Sequence, residues 1–184
     1  MQKTPTVGLV GRVEEFKKVR DFVHLAGNVL KTGLKVKFFI VGEMQRNEYG
    51  ASVEGDVRAM GRENDIIFTG RRNDMPAVLA GMDVLVTLSG GSVMFEAQAA
   101  GTAVLSISGA GAFSDYTRHG ETAICLQTSD MAAAADTLSD LLTDGAKRTA
   151  LTNRARSDVE SHLSVASMVE KTARVYDTLL AAER

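Results

Sequence analysis

The 184-residue chain contains a single cysteine, no tryptophan and two prolines, and aromatic residues make up 5% of it. The lone Cys125 forms neither an internal disulfide nor a paired-cysteine metal site, which is typical of proteins of the reducing cytoplasm. Few aromatic rings and a net charge of −2 argue against nucleic-acid binding, which uses basic surfaces and stacking rings. No apolar run approaches the ~18 residues that span a membrane, and no signal-peptide pattern is present.

Motifs for metal binding and covalent catalysis are also lacking. The three histidines (His24, His119 and His162) show no metal-ligand spacing. Neither an Asp-x-Asp pair nor a Gly-x-Ser-x-Gly nucleophile elbow occurs. Cys125 lies inside an apolar run and is predicted to be a core residue rather than a nucleophile. The sequence therefore predicts no metal site.

Apolar runs alternate with helical patterns along the chain, and a hydrophobic content of 45% is sufficient for a sizeable core. Six strands are predicted, at Thr6–Val10, Lys35–Val41, Ile66–Thr69, Val84–Thr87, Ala103–Ile107 and Ala123–Leu126. Helices are predicted at Val19–Leu30, Ala51–Met60, Asp74–Ala80, Ser92–Gly101, Asp130–Leu142, Lys147–Glu160 and Val165–Ala182. This alternation predicts an α/β fold with a doubly wound parallel sheet of six strands and helices at its C-terminal end.

No long linker, low-complexity tract or internal repeat interrupts the pattern, so residues 1–184 are expected to form one domain. The chain enters its first strand by Thr6, and this abrupt start is compatible with a fragment of a longer protein. Residues 43–50 and the glycine-rich residues 108–112 are predicted as loops. In doubly wound sheets, ligands bind outside the carboxyl ends of the strands, where strand order reverses. Functional residues are therefore expected in the loops that follow the strands.

The loop after the first predicted strand carries two cations. Arg12 directly follows Gly11, and Lys17 lies five residues further along. At this spacing a planar guanidinium and a flexible ammonium can approach one anion from two sides. The alternative is a solvated charged turn that opens a helix, with Glu14 and Glu15 neutralising the lysines. Because the loop follows the carboxyl end of a strand, anion binding and a solvated charged turn are equally favoured by the sequence.

The corner Ser89–Ser92, of sequence SGGS, connects the fourth predicted strand to a helix. Its glycines let backbone N–H groups approach a phosphate, and the helix adds the positive end of its dipole. An ordinary glycine loop is the alternative, because the corner matches neither GxGxxG nor a Walker sequence. Glu96 can accept hydrogen bonds from a pair of hydroxyls such as a ribose diol, or it can simply complement the helix dipole. A capping box from Ser92 does not explain Glu96, since the spacing is four residues and not three.

Five segments follow one another in a fixed order over nearly the whole chain. They are VGRVEEFKKV (Val10–Val19), KVKFFIVGE (Lys35–Glu43), IIFTGRRNDMPAVLAGMDVLVTLS (Ile66–Ser89), FEAQAAGTAVLSIS (Phe95–Ser108) and LSVASMVEKTARVYDTLL (Leu163–Leu180). In this order they resemble the C-terminal, donor-nucleotide-binding domain of GT-B fold glycosyltransferases of the retaining group 1 (family 4) type. The resemblance implies the Rossmann-like half of a GT-B fold.

The resemblance also implies roles for the candidate site residues. Arg12 and Lys17, with Gly11 beside them, would hold the donor diphosphate, and Glu96 would contact the ribose hydroxyls. The backbone N–H groups of Gly90, Gly91, Ser92 and Val93 would meet the phosphates, and Arg71, Arg72 and Asn73 would lie near the nucleobase. Two cations and a helix N-terminus can neutralise a diphosphate leaving group without a metal.

One position departs from the family pattern, which has a Glu, seven residues and a second Glu. With Glu96 as the second acid, Leu88 occupies the first position. Either the corner is one residue shorter in this chain, or the acid that contacts the donor sugar is missing.

The expected function is that of the donor-binding half of a metal-independent hexosyltransferase-type enzyme of polysaccharide or glycoconjugate biosynthesis. Its substrate would be a nucleotide-diphosphate sugar, and no cofactor is implied. The expected partner is an N-terminal acceptor-binding domain of the same protein. The resemblance implies that the helix Leu163–Leu180 packs back across the cleft between the two domains. The resemblance leaves room for peripheral membrane contact by the full-length protein. Without its partner domain, the chain is expected to bind nucleotide weakly and transfer no sugar.

Two alternatives stay open. The chain could be half of another GT-B-like enzyme, such as a sugar epimerase or a phosphorylase. It could also be a non-catalytic binding or scaffold domain, for which Leu88 is the main support.

Overall fold

A computed structural model describes residues 4–107 and 116–182, in which strands and helices alternate. The strands are β1 (Thr6–Val10), β2 (Lys37–Val41), β3 (Ile66–Gly70), β4 (Val84–Thr87), β5 (Ala103–Ile107) and β6 (Ile124–Leu126). The helices are α1 (Val19–Lys31), α2 (Glu48–Ala59), α3 (Met75–Ala80), α4 (Val93–Ala100), α5 (Met131–Thr143), α6 (Gly145–His162) and α7 (Val165–Ala182). The predicted glycine-rich loop at 108–112 lies outside the described residues.

The six strands form one parallel sheet in the order β3-β2-β1-β4-β5-β6. The chain first adds β2 and β3 on one side of β1 and then returns to add β4, β5 and β6 on the other side. Strand order therefore reverses between β1 and β4, whose residues Val7 and Val84 are in register. The prediction of a doubly wound, six-stranded parallel sheet is confirmed.

Helices cover both faces of the sheet, and each face has its own apolar cluster. Alternate residues of every strand point to opposite faces. In β4, for example, Val84 and Val86 join the larger cluster, which also contains residues of α1, α2 and α5. Leu85 joins the smaller cluster, beneath α3 and α4. The near-continuous apolar sequence of the strands thus reflects burial on both sides.

Helix α2 begins earlier than predicted. The interpretation of residues 43–50 as a loop is wrong for the last three, because α2 starts at Glu48. The side chain of Asn47 accepts a hydrogen bond from the Gly50 amide at 2.9 Å, which caps the helix. The shift leaves only a short connection between β2 and α2.

Other element ends differ by one or two residues. Helix α6 starts at Gly145 because the Asp144 side chain accepts from the Lys147 amide at 2.8 Å. Strand β2 starts at Lys37 rather than Lys35. The predicted N-cap of α5 is confirmed, since the Asp130 carboxylate accepts from the amides of Ala132 and Ala133.

Helix α7 has an apolar face that no other described element covers. Its exposed apolar side chains are Val165, Met168, Val169, Val175, Tyr176, Leu179 and Leu180. The helix is tied to the end of α6 by Lys171 and Ser167, which both donate to the carbonyl oxygen of His162 at 3.1 Å. Within residues 4–107 and 116–182, no helix is long and apolar enough to cross a membrane.

Candidate functional site

The candidate residues lie at one edge of the sheet, around the point where strand order reverses. The loop Gly11–Lys18 leaves the carboxyl end of β1, and the corner Ser89–Ser92 leaves the carboxyl end of β4. Because β1 and β4 are hydrogen-bonded neighbours, about 4.8 Å apart, the two segments emerge side by side. This is the position at which open α/β sheets bind ligands.

The start of the β1 loop is held against the exit of β2. The Gly11 amide donates to the carbonyl oxygen of Val41 at 2.9 Å, and the Val13 amide donates to that of Glu43, also at 2.9 Å. A Cβ atom at Gly42, where φ is +156°, would lie 2.0 Å from the carbonyl oxygen of Gly11. Only glycine therefore fits at position 42, and the two loops share one backbone framework.

The two cations of the β1 loop are presented in different ways. Arg12 is exposed, and its guanidinium lies 3.3 Å from the carboxylate of Glu14. The Lys17 stem packs against Gly11, where an added Cβ would lie 3.3 Å from its Cδ and Cε atoms. The Lys17 ammonium lies 5.4 Å from the centre of the exposed Phe16 ring. Both charges thus stay at the surface, although Glu14 partly neutralises Arg12.

A cavity of about 340 Å³ opens at the carboxyl ends of β1, β2 and β3. Its lining residues are Val10, Gly11, Arg12, Val41, Gly42, Glu43, Arg71, Arg72 and Met75. The structure thus brings Gly11 and Arg12 together with Arg71 and Arg72, which lie about sixty residues away in sequence. Sequence reasoning did not single out Glu43 or Met75 as site residues.

The segment Arg71–Asn73 follows β3 and is exposed. Arg72 is committed to Asp74, because its Nε and Nη2 atoms lie 2.9 and 2.6 Å from the two carboxylate oxygens. This hydrogen-bonded pair holds the pKa of Asp74 below its usual range. Arg71 has no ion-pair or hydrogen-bond partner among the described residues. Of this segment, the cavity is lined by Arg71 and Arg72 but not by Asn73.

The corner after β4 has a backbone that requires glycine. Gly90 and Gly91 adopt φ values of +67° and +121°, which L side chains rarely adopt. Helix α4 follows at Val93, and the amides of Ser92 and Val93 have no acceptor in the described part of the chain. Among the described residues, the amides of Ser92 and Val93 are therefore unpaired backbone donors at the positive end of a helix.

Glu96 lies in the first turn of α4 and is exposed. Ser92 makes no side-chain cap to the helix, and its hydroxyl instead donates to Glu96 Oε1 at a long 3.4 Å. The second carboxylate oxygen has no partner in residues 4–107 and 116–182. Glu96 is thus available to accept from hydroxyl groups above the corner.

Leu88 lies directly after β4 and points away from this surface. It is 3% exposed and belongs to the larger apolar cluster. The reason is the period of two along β4, which places Leu88 on the same face as Val84 and Val86. In this structure the side chain at position 88 is therefore part of the core rather than of the surface at the corner.

Comparison with known proteins identifies the family. A family model described as "Glycosyl transferases group 1" matches residues 1–158. The chain belongs to the group 1 glycosyltransferases. A curated relative, the capsular polysaccharide biosynthesis glycosyltransferase CapM of Staphylococcus aureus, is 24% identical over 178 residues. That match covers 95% of this chain and 46% of CapM.

Solved glycosyltransferase structures have the same fold. The C-terminal domain of the group 1 family protein LpcC from Francisella tularensis superposes with a TM-score of 0.78 and 22% identity, covering 88% of this chain and 87% of that domain. Anabaena HepE gives a TM-score of 0.83 at 20% identity, with 95% of this chain and 48% of HepE covered. The chain thus spans about half the length of CapM and HepE.

The structure describes the surroundings of Leu88, where the sequence departs from the family pattern. No other acid occurs between Thr87 and Glu96 in the sequence. Position 88 is part of the core, and Glu96 is the one carboxylate in the sequence of this corner. Among the described residues, no group of three or more His, Cys, Asp or Glu side chains is arranged to hold a metal ion.

Proposed function

We propose that this chain is the donor-nucleotide-binding half of a glycosyltransferase that moves a sugar from a nucleotide-diphosphate sugar to an acceptor. The observation that carries the proposal is the pairing, at the strand reversal, of a dicationic loop with a glycine corner that opens a helix. The diphosphate would lie between Arg12 and Lys17 on one side and the amides of Gly90–Val93 on the other. Both sides supply the positive potential that a diphosphate requires.

The ligands named for similar structures support this proposal. The HepE structures are complexes with UDP and glucose, with UDP, and with UDP-glucose. The Staphylococcus aureus TarM structure, which has a TM-score of 0.84 to this chain, contains UDP. These names also favour sugar transfer over the epimerase and phosphorylase alternatives.

The chemical role proposed for the site is stabilisation of the leaving group. Charge accumulates on the nucleoside diphosphate as its bond to the sugar breaks, and fixed donors that meet this charge lower the barrier. Arg12, Lys17 and the N-terminus of α4 would act there without a metal. Glu96 would orient the donor through its ribose hydroxyls.

An N-terminal acceptor-binding domain of the same protein is the proposed partner. The exposed apolar face of α7, with Val169, Tyr176 and Leu180, is what a helix that packs against a second domain would present.

We propose that the whole protein acts in the cytoplasm, in polysaccharide or glycoconjugate biosynthesis, and that the full-length protein makes peripheral contact with a membrane. The isolated chain is proposed to be inactive.

Calorimetric titration of the chain with UDP, GDP and ADP tests the proposal. We expect weak but saturable binding of at least one nucleoside diphosphate and no sugar transfer by the chain alone. Transfer should appear when the natural upstream segment is attached. A fusion that binds nucleotide but transfers no sugar would favour the scaffold alternative, and no nucleotide binding at all would refute the proposal.

Glu96→Gln tests the ribose contact. A hydrogen bond to a charged carboxylate contributes about 1.5–3 kcal/mol, so affinity for a ribonucleoside diphosphate should fall roughly tenfold or more relative to its 2′-deoxy analogue. The ratio of the two affinities is the decisive measurement, because loss of a negative charge near a diphosphate favours both ligands. Glu160→Gln, at an exposed position on α6, is the control. An unchanged ratio in Glu96→Gln would contradict the assignment.

A further inference from the structure

The cavity at the ends of β1, β2 and β3 contains two charged side chains that no other described residue engages. Glu43 and Arg71 both line it, and neither has an ion-pair or side-chain hydrogen-bond partner in the described residues. The neighbouring cations are occupied elsewhere, Arg12 by Glu14 and Arg72 by Asp74. The cavity thus offers one free carboxylate, which only accepts hydrogen bonds, and one free guanidinium, which only donates them.

The backbone holds Glu43 in place. Its carbonyl oxygen accepts from the Val13 amide, and the next residue, Met44, forms an isolated parallel bridge with Val13. Arg71 directly follows Gly70, whose carbonyl oxygen accepts from the Gly42 amide at 3.0 Å. Both side chains therefore start from backbone positions that are held by hydrogen bonds to the adjacent loop.

The rest of the cavity suits a flat heterocycle. Val10, Val41 and Met75 supply apolar walls, and the thioether of methionine makes favourable contacts with aromatic rings. A volume of about 340 Å³ is near the lower end of the range for ligand pockets, and fits a base with its sugar rather than a complete nucleotide sugar. Arg12 lines the cavity and is also a proposed diphosphate ligand, so the base and the diphosphate would lie next to each other.

We infer that this cavity binds a guanine base, with Glu43 and Arg71 as the residues that determine base specificity. Guanine alone among the common bases has two adjacent N–H groups, at N1 and N2, that match both oxygens of a carboxylate. Its O6 and N7 acceptors match the fork of an arginine. Uracil has a single N–H between two carbonyls, so a carboxylate facing it would meet a carbonyl oxygen. The inference rests on the proposed function and names GDP-sugars as the donor class.

The test is the affinity of the chain for GDP, UDP and inosine diphosphate, which differs from GDP only in lacking the 2-amino group. A correct base contact contributes a factor of about 5 to 150 in affinity. We expect GDP to bind at least fivefold more tightly than either of the other two. Glu43→Gln should bring GDP and inosine diphosphate to nearly equal affinity and leave UDP unchanged. Arg71→Lys, which keeps the charge and loses the fork, should weaken GDP and inosine diphosphate alike.

The control is Glu63→Gln, because Glu63 precedes β3 at the opposite end of the strand and does not line the cavity. Tighter binding of UDP than of GDP, or an unchanged ratio of GDP to inosine diphosphate in Glu43→Gln, would overturn the inference. Equal binding of all the diphosphates would refute base specificity and leave the proposed function standing. Failure of every diphosphate to bind would refute both.

Discussion

Replacing Arg12 and Lys17 together with alanine should abolish measurable nucleoside diphosphate binding by this chain. Each charge-assisted hydrogen bond contributes about 1.5–3 kcal/mol, so removing two is expected to cost roughly 100-fold or more in affinity. The fold should survive, because Arg12 is exposed and its ion pair with Glu14 is a surface pair of little stabilising value. Calorimetric titration, with thermal unfolding as a check on the fold, measures both effects.

A matched pair of cations provides the control. Lys31 at the end of α1 and Lys147 near the start of α6 are exposed and lie outside the candidate site. Lys31→Ala with Lys147→Ala changes net charge by the same amount and should leave affinity nearly unchanged. If the Arg12 and Lys17 variant binds as tightly as the original chain, the β1 loop is the solvated charged turn that the sequence also allowed.

The strands were predictable because each is a short apolar run bounded by turn residues, and both faces of a doubly wound sheet are buried. The location of the site followed from the same pattern, since loops after parallel strands share one edge. Helix starts were harder. Asn47 was not recognised as a cap, although its side chain and not an apolar period fixes where α2 begins.

Glu43 was missed as a site residue for a different reason, whereas Arg71 was expected near the nucleobase from the family resemblance. Glu43 and Arg71 meet because β2 pairs with β3, and pairing between strands is a non-local property that motif spacing does not contain. The sequence shows an acid after one strand and an arginine after another, which is ordinary surface composition. Only the strand order and the loop-to-loop hydrogen bonds give the two residues a common cavity.

Helix α7 shows another limit of the sequence. Its bounds were predicted correctly as Val165–Ala182, because the apolar residues recur at helical spacing. The same pattern is produced by a helix buried against its own domain and by a helix whose apolar face is left exposed by that domain. The exposure of Tyr176 and Leu180 distinguishes them, and it became visible only in the structure.

Leu88→Glu should destabilise the fold rather than restore an acid to the site. Leu88 is 3% exposed and packs in the larger apolar cluster, so a carboxylate there would be buried without a partner. We expect a loss of about 3 kcal/mol or more, which corresponds to a fall in melting temperature of roughly 6–12 °C or to failure to fold. Leu88→Met, a volume-conserving change, should cost less than about 1.5 kcal/mol.

Ser89→Glu distinguishes the cost of burying a charge from the effect of adding an acid to the corner. Ser89 is half-buried and belongs to the corner itself. If the corner is shortened, Ser89→Glu should cost about 1 kcal/mol or less and clearly less than Leu88→Glu, because a half-buried side chain can turn its carboxylate toward solvent. A Leu88→Glu variant with an unchanged melting temperature and a higher affinity for a sugar nucleotide would instead place position 88 at the sugar. In that case the natural chain would have lost its sugar-contacting acid by replacement with Leu88. Restoring that acid by one substitution would then be strong support for the alternative of a non-catalytic scaffold domain.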